Sequence, residues 1–275
     1  MSKARVDYDQ IAPRYNRRFA DDKSGAELVQ VLQALVEQAG AQRCLEVGCG
    51  TGHWLAALAA APGQCCHGLD FSAGMLQQAR QREQPLDLAR GRASQLPYRD
   101  ASFDLIYCLN AIHHFERPQA FVFEARRLLR PGGALAVIGF DPHTLPGQWY
   151  IYDYFEDTLE ADLARFPSWG RVLNWMLAAG LQRIEWRLAR RIHDPKIGAA
   201  VWDDPFLAKG ACSQLALLSD EAYQAGRRRI EAALARAQAS GEQLTFAVDL
   251  FVGLLVGWLP EPAGQPGRRD GKDQR

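Results

Sequence analysis

Three glycines at every second position, Gly48, Gly50 and Gly52, close a short apolar run that begins Cys44-Leu45-Glu46-Val47, and an acid, Asp70, stands twenty residues beyond Gly50. Those residue types suit a nucleoside. Glycine reaches positive φ and lets a ligand approach the backbone where a Cβ would stand in the way. A carboxylate at the tip of the next strand can accept hydrogen bonds from both ribose hydroxyls. Two commoner readings of a Gly-rich turn fail on spacing. A dinucleotide turn runs G-x-G-x-x-G, and its third glycine would fall on His53. A P-loop ends in Lys-Ser or Lys-Thr, and neither follows Gly52. A second group able to do chemistry is the adjacent pair His113 and His114. No cluster of acids or thiols accompanies them at metal-ligand spacing. They read either as a general base near a substrate or as a helix opening that shapes a pocket.

An alternation of strands and helices must hold these residues. Arg43–Val47 reads as a strand, and the Ala/Leu-rich run from His53 to about Ala61 reads as a helix closed by Pro62-Gly63. The helix N-terminus behind the turn presents free N–H groups to an electron-rich ligand. Further strands are predicted at Gln64–Leu69, Asp87–Ala89, Phe103–Leu109 and Ala134–Phe140, with helices at Ala73–Glu83 and Pro118–Leu129. Right-handed crossovers make such a series a parallel sheet. Ligands of open α/β sheets sit at the C-terminal ends of the strands, the rim that carries Asn110 and Ala111. A helix over Val172–Gly180 leads to a sixth strand, Leu181–Leu188. The seventh is delayed to Leu244–Trp258 by a loop-like run from Ile192 to Gln214 and a helix from Glu221 to about Ala239, capped by Ser219. The Asp203-Asp204 pair before Pro205 reads as a turn rather than a cation site. Ahead of the sheet, Val6–Tyr15 and Ala26–Ala39 read as helices.

With these residues in place, the chain resembles the class I S-adenosylmethionine-dependent methyltransferases, closest to the small-molecule group of ubiquinone and menaquinone biosynthesis. The resemblance is carried by Glu46-Val47-Gly48-Cys49-Gly50-Thr51-Gly52, Gly68-Leu69-Asp70-Phe71-Ser72, Leu96-Pro97, Ser102-Phe103-Asp104-Leu105-Ile106 and Leu129-Arg130-Pro131-Gly132-Gly133, in the family's order and spacing. It implies an α/β fold, a Rossmann-like three-layer sandwich with a seven-stranded mostly parallel sheet whose strand seven is antiparallel. It also implies S-adenosyl-L-methionine as cofactor, with S-adenosyl-L-homocysteine as product. Under that resemblance Gly48, Gly50 and Gly52 give backbone approach, Glu46 orders the turn and the cofactor's amino group, and Asp70 takes the ribose. Phe71 and Met75 flank the adenine, and the backbone N–H of Ala93 serves its ring. Asn110 and Ala111 stand beside the sulfonium. Tyr8, Arg14 and Tyr15 reach the methionine end from an N-terminal cover, or else the two tyrosines are ordinary contacts on one helical face. Arg92 departs from the pattern. The family has an acid there that accepts from the adenine amino group, and an arginine has only donors. Arg92 then stacks on the base or points to solvent.

Composition bounds the acceptor. Equal numbers of basic and acidic residues give a formal net charge of zero, which favours neither nucleic acid nor an acidic membrane as partner. No apolar run reaches the roughly 20 residues that span a bilayer, and the first residues are polar and charged. A cytoplasmic protein is expected. The six cysteines make no C-x-x-C pair and read as reduced small hydrophobes. The expected plan is a helical cover over 1–40, a core over 41–190 with an acceptor-pocket segment at 141–170, a helical insertion or lid over 191–243, the last core strand at 244–259, and a disordered tail over 260–275. Aromatics crowd the segment 149–169, among them Trp149, Tyr152, Phe155 and Phe166. They suit either a quinone-like or other aromatic acceptor or a satellite core. The implied reaction is in-line methyl transfer to an O, N or C nucleophile of a small molecule. His113 or His114 would serve as base where that nucleophile must lose a proton. The alternatives are a nucleic-acid or protein methyltransferase, and a cofactor-binding protein without transfer activity.

Overall fold

The computed structural model describes residues 6–16, 25–60, 63–144 and 147–262. What was expected of residues 1–5 and 17–24, of Ala61-Pro62, of Pro146 and of the tail beyond 262 lies outside them.

Two helices precede the sheet. The Asp7 carboxylate caps α1 (Tyr8–Tyr15) by accepting from the N–H groups of Asp9 and Gln10. In α2 (Gly25–Gln38), Leu28, Leu32, Leu35 and Val36 make one buried stripe. The Gly turn joins β1 (Arg43–Val47) to α3 (His53–Ala59). Then come β2 (Cys65–Asp70), α4 (Ala73–Arg80), β3 (Asp87–Arg90), β4 (Phe103–Leu109) and α5 (Pro118–Leu128). The next strand, β5 (Leu129–Phe140), starts at Leu129 rather than Ala134. Leu129 already pairs with Phe103, and the Pro131-Gly132-Gly133 turn is absorbed as a register shift between Phe103 and Leu105.

The chain continues through β6 (Gln148–Trp149), α6 (Tyr150–Tyr154), α7 (Thr158–Arg165), α8 (Trp169–Ala178) and β7 (Gln182–His193). The stretch expected to be loop-like holds β8 (Lys196–Ile197) and 3-10 turns over Gly198–Asp203 and Pro205–Leu207. After α9 (Ser213–Ala216) and the Ser219-capped α10 (Asp220–Ser240), β9 (Thr245–Phe246) pairs with β8, and β10 (Val248–Trp258) returns to the main sheet. Asp204 is part of a turn, as read from its sequence. Its carboxylate accepts from Phe206 N and from the Tyr150 hydroxyl, each at 2.8 Å.

The long strands lie in the order β3-β2-β1-β4-β5-β10, with β7 also on β10 and the two-residue β6 pairing with its first residues. β1 to β5 are parallel, and β10 runs antiparallel to both β5 and β7. This is the expected mostly parallel sheet with an antiparallel last strand. Side chains alternate across it with period two. In β5, Leu135 and Val137 face a core shared with α5 and α8, whereas Ala134, Ala136 and Ile138 face one shared with α2 and α3. A third cluster stands apart and joins Tyr150, Ile151 and Phe155 to Leu215, Tyr223 and Ile230. The crowded aromatics of 149–155 are thus the core of a lobe built with residues 201–248, which is the satellite-core reading of that stretch.

Candidate active site

One cavity of about 470 Å³ opens at the C-terminal ends of β1, β2 and β4, a size ordinary for a small-molecule site. The Gly turn forms its floor. Gly48, Gly50 and Gly52 all have positive φ, at 78°, 53° and 69°. Their surroundings differ. A Cβ on Gly48 would lie 2.5 Å from the Cβ of Ala111, and one on Gly52 would lie 2.7 Å from Cδ1 of Leu86. A Cβ on Gly50 would meet nothing within 4 Å. Gly48 and Gly50 line the cavity and Gly52 does not. Of the backbone approach expected at three glycines, only the open side of Gly50 offers it without displacing protein atoms. Gly52 serves the turn and its packing.

Two carboxylates face this floor. Asp70, partly buried, accepts from Gly50 N at 2.8 Å and from Ser72 N at 2.9 Å. Burial raises its pKa against those two donors. Glu46 is 1% exposed and also lines the cavity. The Tyr107 hydroxyl donates to its Oε2 at 3.3 Å, and burial still pushes the carboxyl well above the usual carboxylate range.

A roof lies over the floor and is tied to three different loops. Asp9 of α1 accepts from Ser72 Oγ at 2.5 Å and from Gly74 N at 2.7 Å, and these donors hold its pKa down. Thr51 Oγ1 donates to Asn16 Oδ1 at 2.6 Å. The Tyr8 hydroxyl lies 2.6 Å from Nε2 of His114. Tyr8 and Tyr15 line the cavity, whereas Arg14 does not.

The remaining predicted residues divide. Phe71, Met75, Ala93, Asn110, Ala111, His113 and His114 line the cavity. Asn110 holds φ +51°, a conformation asparagine tolerates better than most residues. His113 stacks on Phe166 with centroids 3.7 Å apart. Arg92 is not on the cavity wall. Its Nη1 pairs with Glu116 Oε2 at 2.7 Å, and its guanidinium stacks 4.7 Å from the centroid of Phe71. Glu116 and Phe71 meet it at the rim, so the residue expected at the adenine holds the outer side of the wall instead. The aromatic acceptor wall expected from Trp149, Tyr152 and Phe155 also fails, because none of the three lines the cavity.

The residues of the far wall were not singled out in the sequence, although Arg165 and Pro167 fall within the 141–170 segment expected to form an acceptor pocket. The wall comes from the end of α7 and the start of α8, with Arg165, Pro167, Arg171 and Trp175. Asp141, at the tip of β5, fastens that loop by accepting from Trp169 N at 2.8 Å and His143 N at 2.8 Å. Fully buried Asp162 fastens Arg165. Its Oδ1 takes the guanidinium Nη2 at 2.5 Å, and its Oδ2 accepts from Tyr152 Oη and Gln214 Nε2 at 2.7 and 2.6 Å. In α7, Leu159 and Leu163 are exposed while Thr158 and Asp162 are buried, an inversion that the sequence does not display. A helix whose polar stripe faces inward marks a buried polar network. The cue for Asp141 was its place at a strand tip.

Comparison with known proteins settles the family. A model of the methyltransferase domain matches residues 45–137. Demethylmenaquinone methyltransferase of Lactiplantibacillus plantarum is 29% identical over 213 residues, 66% of this chain and 88% of that one. The enzyme of the same name from Renibacterium salmoninarum is 32% identical over 165 residues, 58% of this chain and 69% of that one. The chain belongs to the class I S-adenosylmethionine-dependent methyltransferases. Solved structures agree on the fold of this methyltransferase. The YcgJ protein of Bacillus subtilis aligns with TM-score 0.55 at 19% identity, over 86% of this chain and 99% of that one. Phosphoethanolamine N-methyltransferase 2 of Haemonchus contortus, solved with S-adenosylmethionine, aligns with TM-score 0.56 at 17% identity, over 92% of this chain and 57% of that one. The methyltransferase's cofactor is S-adenosylmethionine, and the cavity fits it. Gly50 leaves room for close approach, and the acidic side chains of buried Glu46 and partly buried Asp70 line the cavity, a donor set that suits a cationic nucleoside. Among the described residues no helix is long and apolar enough to cross a membrane.

Proposed function

We propose that this methyltransferase transfers its methyl group to a small molecule that enters beside Trp175. One observation carries the reading: the cavity runs without interruption from Gly50 and Asp70 to Arg165, Arg171 and Trp175, beneath a roof tied to three loops. A roofed cavity favours a small acceptor over a nucleic-acid or protein side. Relatives named for demethylmenaquinone and for 27-O-demethylrifamycin SV support the same class.

The cofactor supplies a methyl group already activated on a sulfonium, so the protein's work is alignment and exclusion of water. In this reading Asp70 holds the ribose, Gly50 admits the methionine backbone beside Gly48, and Glu46 faces its ammonium. Met75, Phe71 and the Ala93 N–H flank the adenine. Asn110 and Ala111 stand at the sulfonium, and Tyr8 and Tyr15 close the roof. His113 and His114 border the acceptor end, where one of them takes a proton when the nucleophile carries one. Arg92 acts only through Phe71 and Glu116.

Calorimetric titration with S-adenosylmethionine and S-adenosylhomocysteine tests the cofactor half. Binding to the wild type is expected, with a loss of about 10- to 100-fold for Asp70→Ala, the range for a hydrogen bond to a charged group. A folded chain that binds neither ligand would overturn the assignment of these residues. A transfer assay over phenols, catechols and amines then tests the acceptor class.

A further inference from the structure

The cavity's charges are segregated. Its floor and roof carry the acids Asp7, Asp9, Glu46 and Asp70, which suits a cationic cofactor. The α7–α8 wall contributes two arginines, Arg165 and Arg171, and no acid. Glu116, the remaining acid of the lining, is paired with Arg92. Arg165 is nine-tenths buried, with 10% side-chain exposure. Its Nη2 donates to Asp162 and, at 3.1 Å, to Ser213 Oγ. Its Nε is buried and has no partner among the described residues. A guanidinium has five N–H donors in a rigid fork; the Asp162 network holds Nη2 and the buried Nε is closed to a ligand, so Nη1 is the donor an anion can reach. An anion there gains a charge-assisted pair that water does not supply.

We propose that the acceptor is a carboxylate-bearing small molecule whose carboxylate seats on Arg165, with Arg171 as a second cation at the same wall. The proposal rests on the small-molecule reading and deepens it. The carboxylate is an anchor and not necessarily the methylated group. Asp162, Tyr152, Gln214 and Ser213 position the guanidinium. Trp175 offers the remainder of the acceptor flat aromatic surface, so an aromatic carboxylate is the simplest probe.

The test titrates the full-length protein, with and without saturating S-adenosylhomocysteine, with benzoate and with its neutral isostere benzamide. Benzoate is expected to bind at least about tenfold more tightly than benzamide, the worth of one charge-assisted pair. Arg165→Gln should bring benzoate down to the level of the amide, Arg165→Lys should restore part of the difference, and Arg171→Gln should give a smaller loss. S-adenosylhomocysteine affinity, read in the same samples, should be unchanged. The comparison of acid with amide on the wild type needs no variant, so it stands even if Arg165→Gln unfolds by stranding Asp162. Benzoate binding no tighter than benzamide, or undiminished in folded Arg165→Gln, would overturn the proposal. Loss of S-adenosylhomocysteine binding with benzoate selectivity retained would instead strike the cofactor assignment.

Discussion

The two ends of the cavity are built by different means. The floor comes from loops directly after β1, β2 and β4, and its key contacts use backbone N–H donors: Gly50 N to the Asp70 carboxylate and Gly48 N to Leu69 O. The α7–α8 wall hangs on buried side chains, with Asp162 gathering Tyr152, Arg165 and Gln214, and Asp141 gathering Trp169 and His143. A floor made of strand ends and backbone hydrogen bonds tolerates change in side chains that do not touch the ligand. A wall made of a buried polar network fails when one member is removed, because the others are left desolvated and unpaired. The contrast fits the proposal of a cofactor held by the strand ends and an acceptor met by a separable side-chain network.

The largest effect is expected from that network. Asp162→Ala strands Arg165, Tyr152 and Gln214 and should cost about 3–5 kcal/mol of stability, read from urea unfolding. S-adenosylhomocysteine should still bind whatever fraction remains folded. A neutral Asp162→Ala would erase the distinction between the two ends.

Next come the glycines of the floor. Gly50→Ala should lose about 1–2 kcal/mol from its positive φ, and its new methyl would stand in open cavity, so cofactor affinity should fall as well. Gly52→Ala has the same φ cost plus the overlap with Leu86, yet it should leave affinity unchanged in folded protein. Equal affinity losses in both would show that the turn acts as a unit.

A third effect is a pH dependence. Burial raises the Glu46 carboxyl, so the ligand-free protein holds a proton there above the usual carboxylate range. A cation beside it favours the carboxylate, so binding releases that proton. Affinity for S-adenosylmethionine should then rise with pH above the usual carboxylate range, by up to about tenfold per unit. Glu46→Gln should flatten the profile. Calorimetry in two buffers of different ionisation enthalpy reads the proton directly, and zero release would remove Glu46 from contact with the ammonium.

The smallest effect belongs to Arg92. Its pair with Glu116 is half exposed, at 54% and 48%, so Arg92→Ala should change stability by less than about 0.5 kcal/mol. Cofactor affinity should stay within about twofold, less than the change from losing one neutral hydrogen bond. A tenfold loss would return Arg92 to the adenine and extend the floor's chemistry to its rim.

How much of this was legible differs between the same two ends. The strands of the core, the Gly turn and Asp70 at the next strand tip can be read because their signals are local: apolar runs, glycines at fixed spacing, an acid at a strand end; the antiparallel direction of the last strand is implied only by the family resemblance. The position of Arg92 could not be read, because it depends on Glu116, 24 residues away. Neither could the fate of the 149–155 aromatics. Their composition suits an acceptor wall, and only their packing on Leu215, Tyr223 and Ile230 makes them a separate core.

By itself, then, the order of residues determines the cofactor floor, since positive φ at Gly50 and a carboxylate at Asp70 act within one or two residues of where they stand. Only the tertiary structure decides the α7–α8 wall. Asp162 finds Tyr152 and Gln214 at separations of 10 and 52 residues, and a carboxylate can be fully buried only where such donors converge. Burial has no signature in a single side chain, so that wall is written in contacts rather than in a motif.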